Sequence, residues 1–366
     1  MSRKQRILHV FPSFAAGGAQ MRMAALANYF GARFAHTIIA LDHETTCRDR
    51  LDPALDVAFP AAPAMRQPLP QRLLTIAAAM RTHQPDLLMT SNWGAIEWAI
   101  ANRLGPRIRH IHTEDGFGRD ERDRQLPRRV WTRRLILRSS TTIVPSQTLL
   151  DTATTIWRLP PRALHYIPNG IDLATFTPAA APRNGPPVIG CVAALRPEKN
   201  LARLLRAAAI ARRHHAFDLV LLGDGPDRAA LEALANDLSL PVRFLGALAE
   251  PAPVYREFTI FALSSDTEQM PLSVMEAMAS GLPVVTTRVG DIARMVAPEN
   301  LDFLTARDDQ AMADAMGELL ADPARQTSIG LANRRHAEQH FDFSVMAARW
   351  QALMAPDEPR AAPDAA

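Results

Sequence analysis

Two glutamates with seven residues between them, Glu268 and Glu276, lie in the stretch SSDTEQMPLSVMEAMASGLPVVTT, Ser264 to Thr287. Within it, Pro271 suits the first position of a helix, where its missing N–H costs nothing, and Gly281 suits the left-handed position that ends one. A helix starting near Pro271 leaves the backbone N–H groups around Leu272 and Ser273 without partners. Together with the helix dipole these make an anion site. Glu268 precedes the helix, and Glu276 lies about one and a half turns inside it. Two carboxylates beside an anion site need hydroxyl groups to bind. A ligand carrying a diphosphate, a ribose and a hexose meets both demands, and a nucleotide-sugar is such a ligand.

A second cluster follows the first strand of the same half. In ALRPEKN, Ala194 to Asn200, Arg196 offers a bidentate fork and Lys199 a mobile point charge, a good pair for a diphosphate. Further on, LLGDGPD, Leu221 to Asp227, has Gly223 and Gly225 where a base or ribose would approach the backbone; a plain strand–turn–helix is the alternative. In the first half, AAGGAQ, Ala15 to Gln20, joins a strand to a helix. Gly17 and Gly18 there permit a tight turn before a helix start that takes phosphate or sugar oxygens. RHIHTEDGFG, Arg109 to Gly118, carries two histidines at a strand end. Period-2 alternation puts His110 and His112 on one face, with Ile111 on the other. Glu114 and Asp115 follow, yet no further ligand set accompanies them, so no metal is expected.

The elements that position these residues alternate between short β-rich runs and helix-period segments, the pattern of βαβ units in an α/β fold. Strands are expected at Ile7 to Val10, His36 to Leu41, Asp86 to Thr90, Arg107 to Ile111 and Thr141 to Val144. The series restarts at Pro187 to Leu195, Phe217 to Gly223, Pro241 to Gly246, Thr259 to Leu263 and Pro283 to Thr287. Between the series, residues 174–187 have linker composition, rich in Pro and Ala. The expected organisation is two Rossmann-like domains, 1–173 and 188–341, facing across a cleft. A closing helix at 342–354 and a disordered tail at 355–366 complete it. Such sheets bind ligands beyond the carboxyl ends of their strands, where every motif above falls.

Composition sets the remaining limits. A content of 48% hydrophobic and 22% charged residues is that of an ordinary globular protein. No apolar run approaches the roughly 20 residues that span a bilayer, and the start MSRKQRILHVFPSF lacks the long apolar core of a signal peptide. A cytoplasmic location is therefore expected. Two distant cysteines, Cys47 and Cys191, disfavour a disulfide framework. Residues 1–175 carry 23 Lys and Arg against 14 Asp and Glu, the remainder 18 against 24. The basic half suits an anionic partner rather than nucleic acid, since no nucleic-acid-binding module accompanies it. Its densest part, Arg119 to Arg138, interleaves Arg128, Arg129, Arg133 and Arg134 with Val130, Trp131, Leu135, Ile136 and Leu137. This reads as an amphipathic helix docking on an anionic membrane surface at the inner face of the cell membrane. The alternative is a solvated face paired with Asp120, Glu121 and Asp123.

Glu268, seven residues and Glu276, followed by AMASGLPVV, resemble the E-x7-E signature of retaining glycosyltransferases of the GT-B fold. IPNGID (Ile167 to Asp172), RPEKN, LLGDGP and RFLG are similar in order and spacing to family-4-type enzymes of bacterial polysaccharide and glycolipid synthesis. The fragment TEQMPLSVMEAMASGLPVV resembles a subgroup associated with exopolysaccharide and exosortase loci. The resemblance implies a UDP- or GDP-linked sugar donor, a glycan or lipid-linked acceptor and no cofactor. By the same resemblance Glu276 holds the ribose hydroxyls and Glu268 contacts the donor sugar near its reacting carbon. Arg196 and Lys199 neutralise the leaving diphosphate in place of a metal, and the backbone of Met270, Pro271 and Leu272 adds N–H donors. The Gly17–Gly18 loop faces the diphosphate, and His112 contacts the transferred sugar, with Glu114 or Asp115 orienting it or the acceptor. One departure is that many members have Gly where this chain has Gln269. The rivals are a GT-B-fold sugar epimerase and a nucleotide-sugar-binding protein without catalysis. A dinucleotide oxidoreductase fits less well, since AAGGAQ is not G-x-G-x-x-G.

Overall fold

The computed structural model of the chain describes residues 4–64, 66–117, 121, 124–180 and 185–355. Its first half is one parallel sheet of β1 (Gln5–Phe11), β2 (Phe34–Ala40), β3 (Val57–Ala58), β4 (Leu87–Ser91), β5 (Arg109–Thr113), β6 (Thr141–Val144) and β7 (Leu164–Tyr166). The spatial order is β3-β2-β1-β4-β5-β6-β7. Helices α1 (Gly18–Phe30), α2 (Leu69–His83), α3 (Ile96–Leu104), α4 (Pro127–Ile136) and α5 (Gln147–Thr155) connect the strands. Central strands such as β4 are buried along their whole length, which is why they read as apolar runs rather than as alternating ones.

The second sheet takes β8 (Val188–Val192), β9 (Asp218–Leu222), β10 (Val242–Gly246), β11 (Ile260–Leu263), β12 (Val284–Thr287) and β13 (Leu304–Thr305), in the order β10-β9-β8-β11-β12-β13. Its helices are α6 (Leu201–Ala211), α7 (Arg228–Asp237), α8 (Ala252–Tyr255), α9 (Leu272–Ala279), α10 (Ile292–Met295), α11 (Asp309–Ala321) and α12 (Pro323–His340). The order reverses between β1 and β4 in one sheet and between β8 and β11 in the other. A crevice opens at such a reversal because successive crossovers leave on opposite sides. The segments leaving β8 and β11 are those that carry Arg196, Lys199 and Glu268.

The last helix, α13 (Phe343–Met354), returns to the first sheet. Its Met346, Trp350 and Met354 are buried with Ile7, Leu26, Phe30 and Leu87, each large apolar side chain contributing about 1.5–3 kcal/mol. Gln5 Nε2 and Arg109 then donate to the carbonyls of Met354 and Ala355 at its end. The chain crosses between domains at Gly170, where an added Cβ would lie 2.7 Å from Phe343 Cα. There Ile171 N donates to Phe341 O (2.7 Å) and Phe343 N to Ile171 O (3.2 Å).

The ten expected strands are all present, with shifted ends. The strand expected at Arg107 begins at Arg109, because Arg107 takes a left-handed φ of 57° and donates to Asn102 O to finish α3. The strand expected to reach Leu195 ends at Val192, since Leu195 N turns to Asp224 O at 2.9 Å. Strands β3, β7 and β13 were not expected; at two or three residues they carry no period. The expected tail and the middle of the expected linker, residues 181–184, lie outside the described residues, apart from Ala355.

Candidate functional site

The turn after β8 and the loop after β11 are joined through both backbone and side chains. Asp266 N donates to Glu198 O at 2.9 Å, and Ser264 Oγ donates to the carbonyls of Lys199 (3.1 Å) and Asn200 (2.9 Å). Arg203 NH1 reaches Ser264 O and Asp266 Oδ1 at 2.7 and 2.8 Å. On this frame Lys199 Nζ stands 2.5 Å from Glu268 Oε1, which also accepts from Ser265 Oγ at 2.7 Å. Glu268 is nearly enclosed while Lys199 keeps an open side. An ammonium has three donors, so Lys199 can hold the carboxylate and an incoming anion together. Arg196 opens the same turn with an exposed side chain.

Helix α9 starts one residue later than expected. Pro271 is its N-cap in extended geometry (φ −67°, ψ 123°), and no side chain caps the helix. The first amides, at Leu272 and Ser273, are therefore available to an anion, as expected from the sequence. Gly281 takes the left-handed φ of 71° that ends the helix. Inside it, Glu276 Oε2 accepts from Tyr255 Oη at 2.6 Å. Burial raises the Glu276 carboxyl to about 7, against the pull of the Tyr255 hydrogen bond. Met270 is buried, and its carbonyl accepts from Asn169 Nδ2 at 3.1 Å.

The opposite wall belongs to the first domain. Thr90 Oγ1 lies 2.8 Å from His110 Nε2 and 2.8 Å from His112 Nδ1, so both rings share a face as the alternation requires. His112 is fully enclosed, and its Nε2 lies 3.7 Å from Glu114 Oε2. His112 Nε2 and Glu114 Oε1 are buried without a hydrogen-bond partner. Asp115 is bound by Arg22 in a bidentate pair of 2.5 and 2.9 Å, and Arg22 also donates to Asn169 Oδ1 at 2.8 Å. Gly17 is the N-cap of α1 at an extended φ of −153°. An added Cβ at Gly18 would meet nothing within 4 Å. Neither glycine has a positive φ, and what the pair leaves is a helix start without a side-chain cap.

Two sequence motifs gain detail from the structure. Gly223 and Gly225 have φ of 143° and 159°, and an added Cβ would lie 1.9 Å from Ala193 O and 2.4 Å from Leu195 O respectively. They let the loop after β9 close on the loop after β8, so the backbone they admit is the chain's own. In the basic segment the described arginines of α4 do not all face outward. Arg133 is fully buried. It donates to Glu114 Oε2 (3.1 Å) and Glu121 Oε2 (3.0 Å) and lies over Trp93, Phe117 and Trp157 at 4.9–5.5 Å. A guanidinium surrounded by two carboxylates and three aromatic faces is better solvated there than a lone buried cation would be. Arg119, Asp120 and Asp123 lie outside the described residues.

Sequence reasoning assigned no role to Arg22, Asn169, Tyr255 or Asp291, which tie the two walls or orient the glutamates. Asn169 was visible inside IPNGID, but its partners are Arg22 and Met270, 147 and 101 positions away. Gln269, where glycine is common, needs no left-handed backbone, since its φ is not positive. Its Oε1 accepts from Ser146 Oγ at 3.0 Å across the cleft. Among the described residues no three His, Cys, Asp or Glu are grouped to hold a metal, and no helix is long and apolar enough to cross a membrane.

Two family models match separate parts of the chain. Residues 16–175 match the model of Glycosyltransferase Family 4, and residues 186–322 that of Glycosyl transferases group 1. A GDP-mannose-dependent monoacylated alpha-(1-6)-phosphatidylinositol monomannoside mannosyltransferase of Corynebacterium glutamicum is 30% identical over 53% of this chain and 56% of its own. A GDP-mannose-dependent alpha-mannosyltransferase of Mycolicibacterium smegmatis is 32% identical over 60% and 56%. The chain spans about half the length of these curated relatives. Among solved structures, sucrose-phosphate synthase of Thermosynechococcus elongatus superposes with a TM-score of 0.79 at 22% identity, covering 96% of this chain and 98% of that one. Anabaena HepE in complex with UDP-glucose gives 0.79 at 21% identity over 94% and 97%. At these identities the structural likeness concerns the fold.

Proposed function

The chain belongs to the family-4-type glycosyltransferases of the GT-B fold, and from that premise we propose that it transfers a hexose, with retained anomeric configuration, from a nucleoside-diphosphate sugar. The supporting observation is the Lys199–Glu268 pair, 2.5 Å apart, set at the strand-order reversal beside the uncapped start of α9. A cation, a helix dipole and a carboxylate converge there, as a sugar diphosphate requires.

In the proposed reaction Arg196, Lys199 and the amides of Leu272 and Ser273 hold the diphosphate, and charge grows on its oxygen as the anomeric C–O bond breaks. Fixed donors aimed at developing charge lower the barrier without a metal. Glu268 faces the electron-poor anomeric carbon and a sugar hydroxyl, while Glu276 accepts from the ribose. The acceptor hydroxyl forms the new C–O bond on the face the diphosphate leaves, and its proton passes to the departing phosphate oxygen. His112, with Glu114 behind it, faces the transferred sugar once the cleft opens to admit it. Asp115, held by Arg22, and the Gly17–Gly18 helix start complete the first-domain side.

The donor we propose is GDP-mannose, on the names of the relatives at 30 and 32% identity. The acceptor is a glycan or lipid-linked sugar at an anionic membrane surface, which the exposed side of α4 would meet. Radiolabelled GDP-mannose and UDP-sugars, incubated with membrane lipid extract and EDTA, test this directly. Acceptor-dependent labelled product is expected with one donor, lost at least 100-fold in Lys199→Ala and Glu268→Gln. Full activity in both variants, or strict dependence on a divalent cation, refutes the mechanism.

A further inference from the structure

Glu276 is bound on one side only. Its Oε2 accepts from Tyr255 at 2.6 Å, and among the described residues no donor meets Oε1. The side chain is partly accessible, whereas Tyr255 is fully enclosed. The tyrosine ring is fixed edge-on against Phe176 and stacked near Phe261, with centroids at 5.6 and 5.9 Å, and Phe258 closes it at 5.6 Å. Its hydroxyl also lies 3.2 Å from Ser273 O, in the first turn of α9. A fully buried, ring-packed tyrosine thus links the start of the helix to a carboxylate one turn later.

We propose that Tyr255 is the positioning residue for Glu276: its hydroxyl pins Oε2 and turns Oε1 toward a ribose hydroxyl of the bound nucleotide. This rests on the nucleotide-sugar reading above and adds to it a residue on a different element. A protonated, freely rotating carboxyl would accept poorly from a ribose diol, so the hydroxyl has a second effect. Burial pushes Glu276 up to about 7, and the Tyr255 hydrogen bond opposes it. The neighbouring groups are few. Cys191 on β8 lies behind Tyr255 and is itself pushed up to about 12 by burial, with Lys199 and Glu268 acting on it from the strand end. From α12, Arg334 reaches the far end of α9 at Ala279 O, 2.6 Å away.

The test is calorimetric titration of the whole chain with GDP and with UDP from pH 6 to 9, in wild type, Tyr255→Phe and Glu276→Gln. Wild-type affinity is expected to rise through pH 7 to a plateau. Tyr255→Phe, which keeps the aromatic packing, reaches its plateau at higher pH and binds roughly tenfold more weakly at pH 7. Glu276→Gln and 2′,3′-dideoxynucleotides lose the pH step. A folded Tyr255→Phe protein with the wild-type midpoint overturns the proposal while leaving the nucleotide reading intact; wild type that binds neither nucleotide overturns both. Should Tyr255→Phe not fold, fluorotyrosine replacement of the chain's three tyrosines supplies a stronger donor. The midpoint must then fall, and an unmoved one refutes the assignment.

Discussion

Asp291 and Thr148 stand 143 positions apart and are joined twice: Asp291 Oδ1 accepts from Thr148 N at 3.0 Å and from Thr148 Oγ1 at 2.6 Å. The other oxygen accepts from Gln147 N at 2.5 Å. A carboxylate of the second domain thereby caps the start of α5 in the first, where the helix dipole favours it. Beside it, Ser146 caps Leu149 N and donates to Gln269. These polar contacts join the two sides of the cleft.

Asp291→Ala should therefore cost about 2 kcal/mol, the range for hydrogen bonds to a charged group, read as a lower denaturation midpoint. It should also enlarge the radius of gyration in small-angle scattering, because the domains part. An unchanged radius with a lowered midpoint would mean that Asp291 serves α5 alone.

Arg133 gives a sharper contrast. Removing it leaves Glu114 and Glu121 buried beside each other's charge, so Arg133→Ala should destabilise the chain by about 3–5 kcal/mol. The exposed Arg128, one turn earlier on the same helix, should cost under about 0.5 kcal/mol as alanine. Urea unfolding of the two variants decides it; similar midpoints would remove Arg133 from the fold's interior.

The difference between those arginines explains how far the sequence could be read. Elements and punctuation were legible because their signals are local: apolar runs for β4 and β11, and Pro271 and Gly281 around α9. The Lys199–Glu268 approach was not legible, because it depends on β8 and β11 lying side by side, which the sheet order alone gives. Arg133 was not legible as an interior residue. On a helix it reads as a solvated cation, and the aromatic rings that surround it, Trp93, Phe117 and Trp157, come from segments with no sequence relation to it. Asp291 and Asn169 were missed for the same reason, since their partners lie more than 100 positions away in the sequence. The role of Gly223 stayed open in the sequence because a glycine admitting a ligand and one admitting a neighbouring loop have the same spelling.

Acid should unfold the protein through its buried imidazoles. Burial lowers His110 to about 3 and His36 to about 4, and it also lowers His9, which lies 3.0 Å from His36. Each folded value is below the ordinary 6.5, so the unfolded chain binds the extra protons. The stability these groups contribute is present above pH 6.5 and is lost as pH falls toward 4. The slope is about 1.4 kcal/mol per pH unit for each histidine in that window. Denaturant midpoints between pH 7.5 and 4.5 measure it. Replacing His110 by Gln should flatten the curve; an unchanged curve means the ring already titrates in the native state.

The exposed side of α4 makes the last prediction. With Arg133 turned inward, the outward residues are Trp131 (58% exposed) and Leu135 (53%), and Leu104 (73%) stands on neighbouring α3. Arg128 and Arg138 are exposed with them, and the Arg134 guanidinium lies 5.1 Å over the Trp131 ring. Arg103 fixes the two helices together through Leu135 O and Ser139 Oγ at 3.0 and 2.8 Å. An apolar patch rimmed by cations suits a lipid interface, where each basic residue contributes about 1 kcal/mol near an anionic surface. Sedimentation with phosphatidylglycerol-containing vesicles should therefore weaken with added salt, and roughly 30-fold in the Arg128→Ala, Arg138→Ala double variant. Trp131→Ala should weaken binding at every salt concentration, because its contribution is burial rather than charge. Equal, salt-insensitive binding to uncharged phosphatidylcholine vesicles would leave the arginines as a solvated face and nothing more.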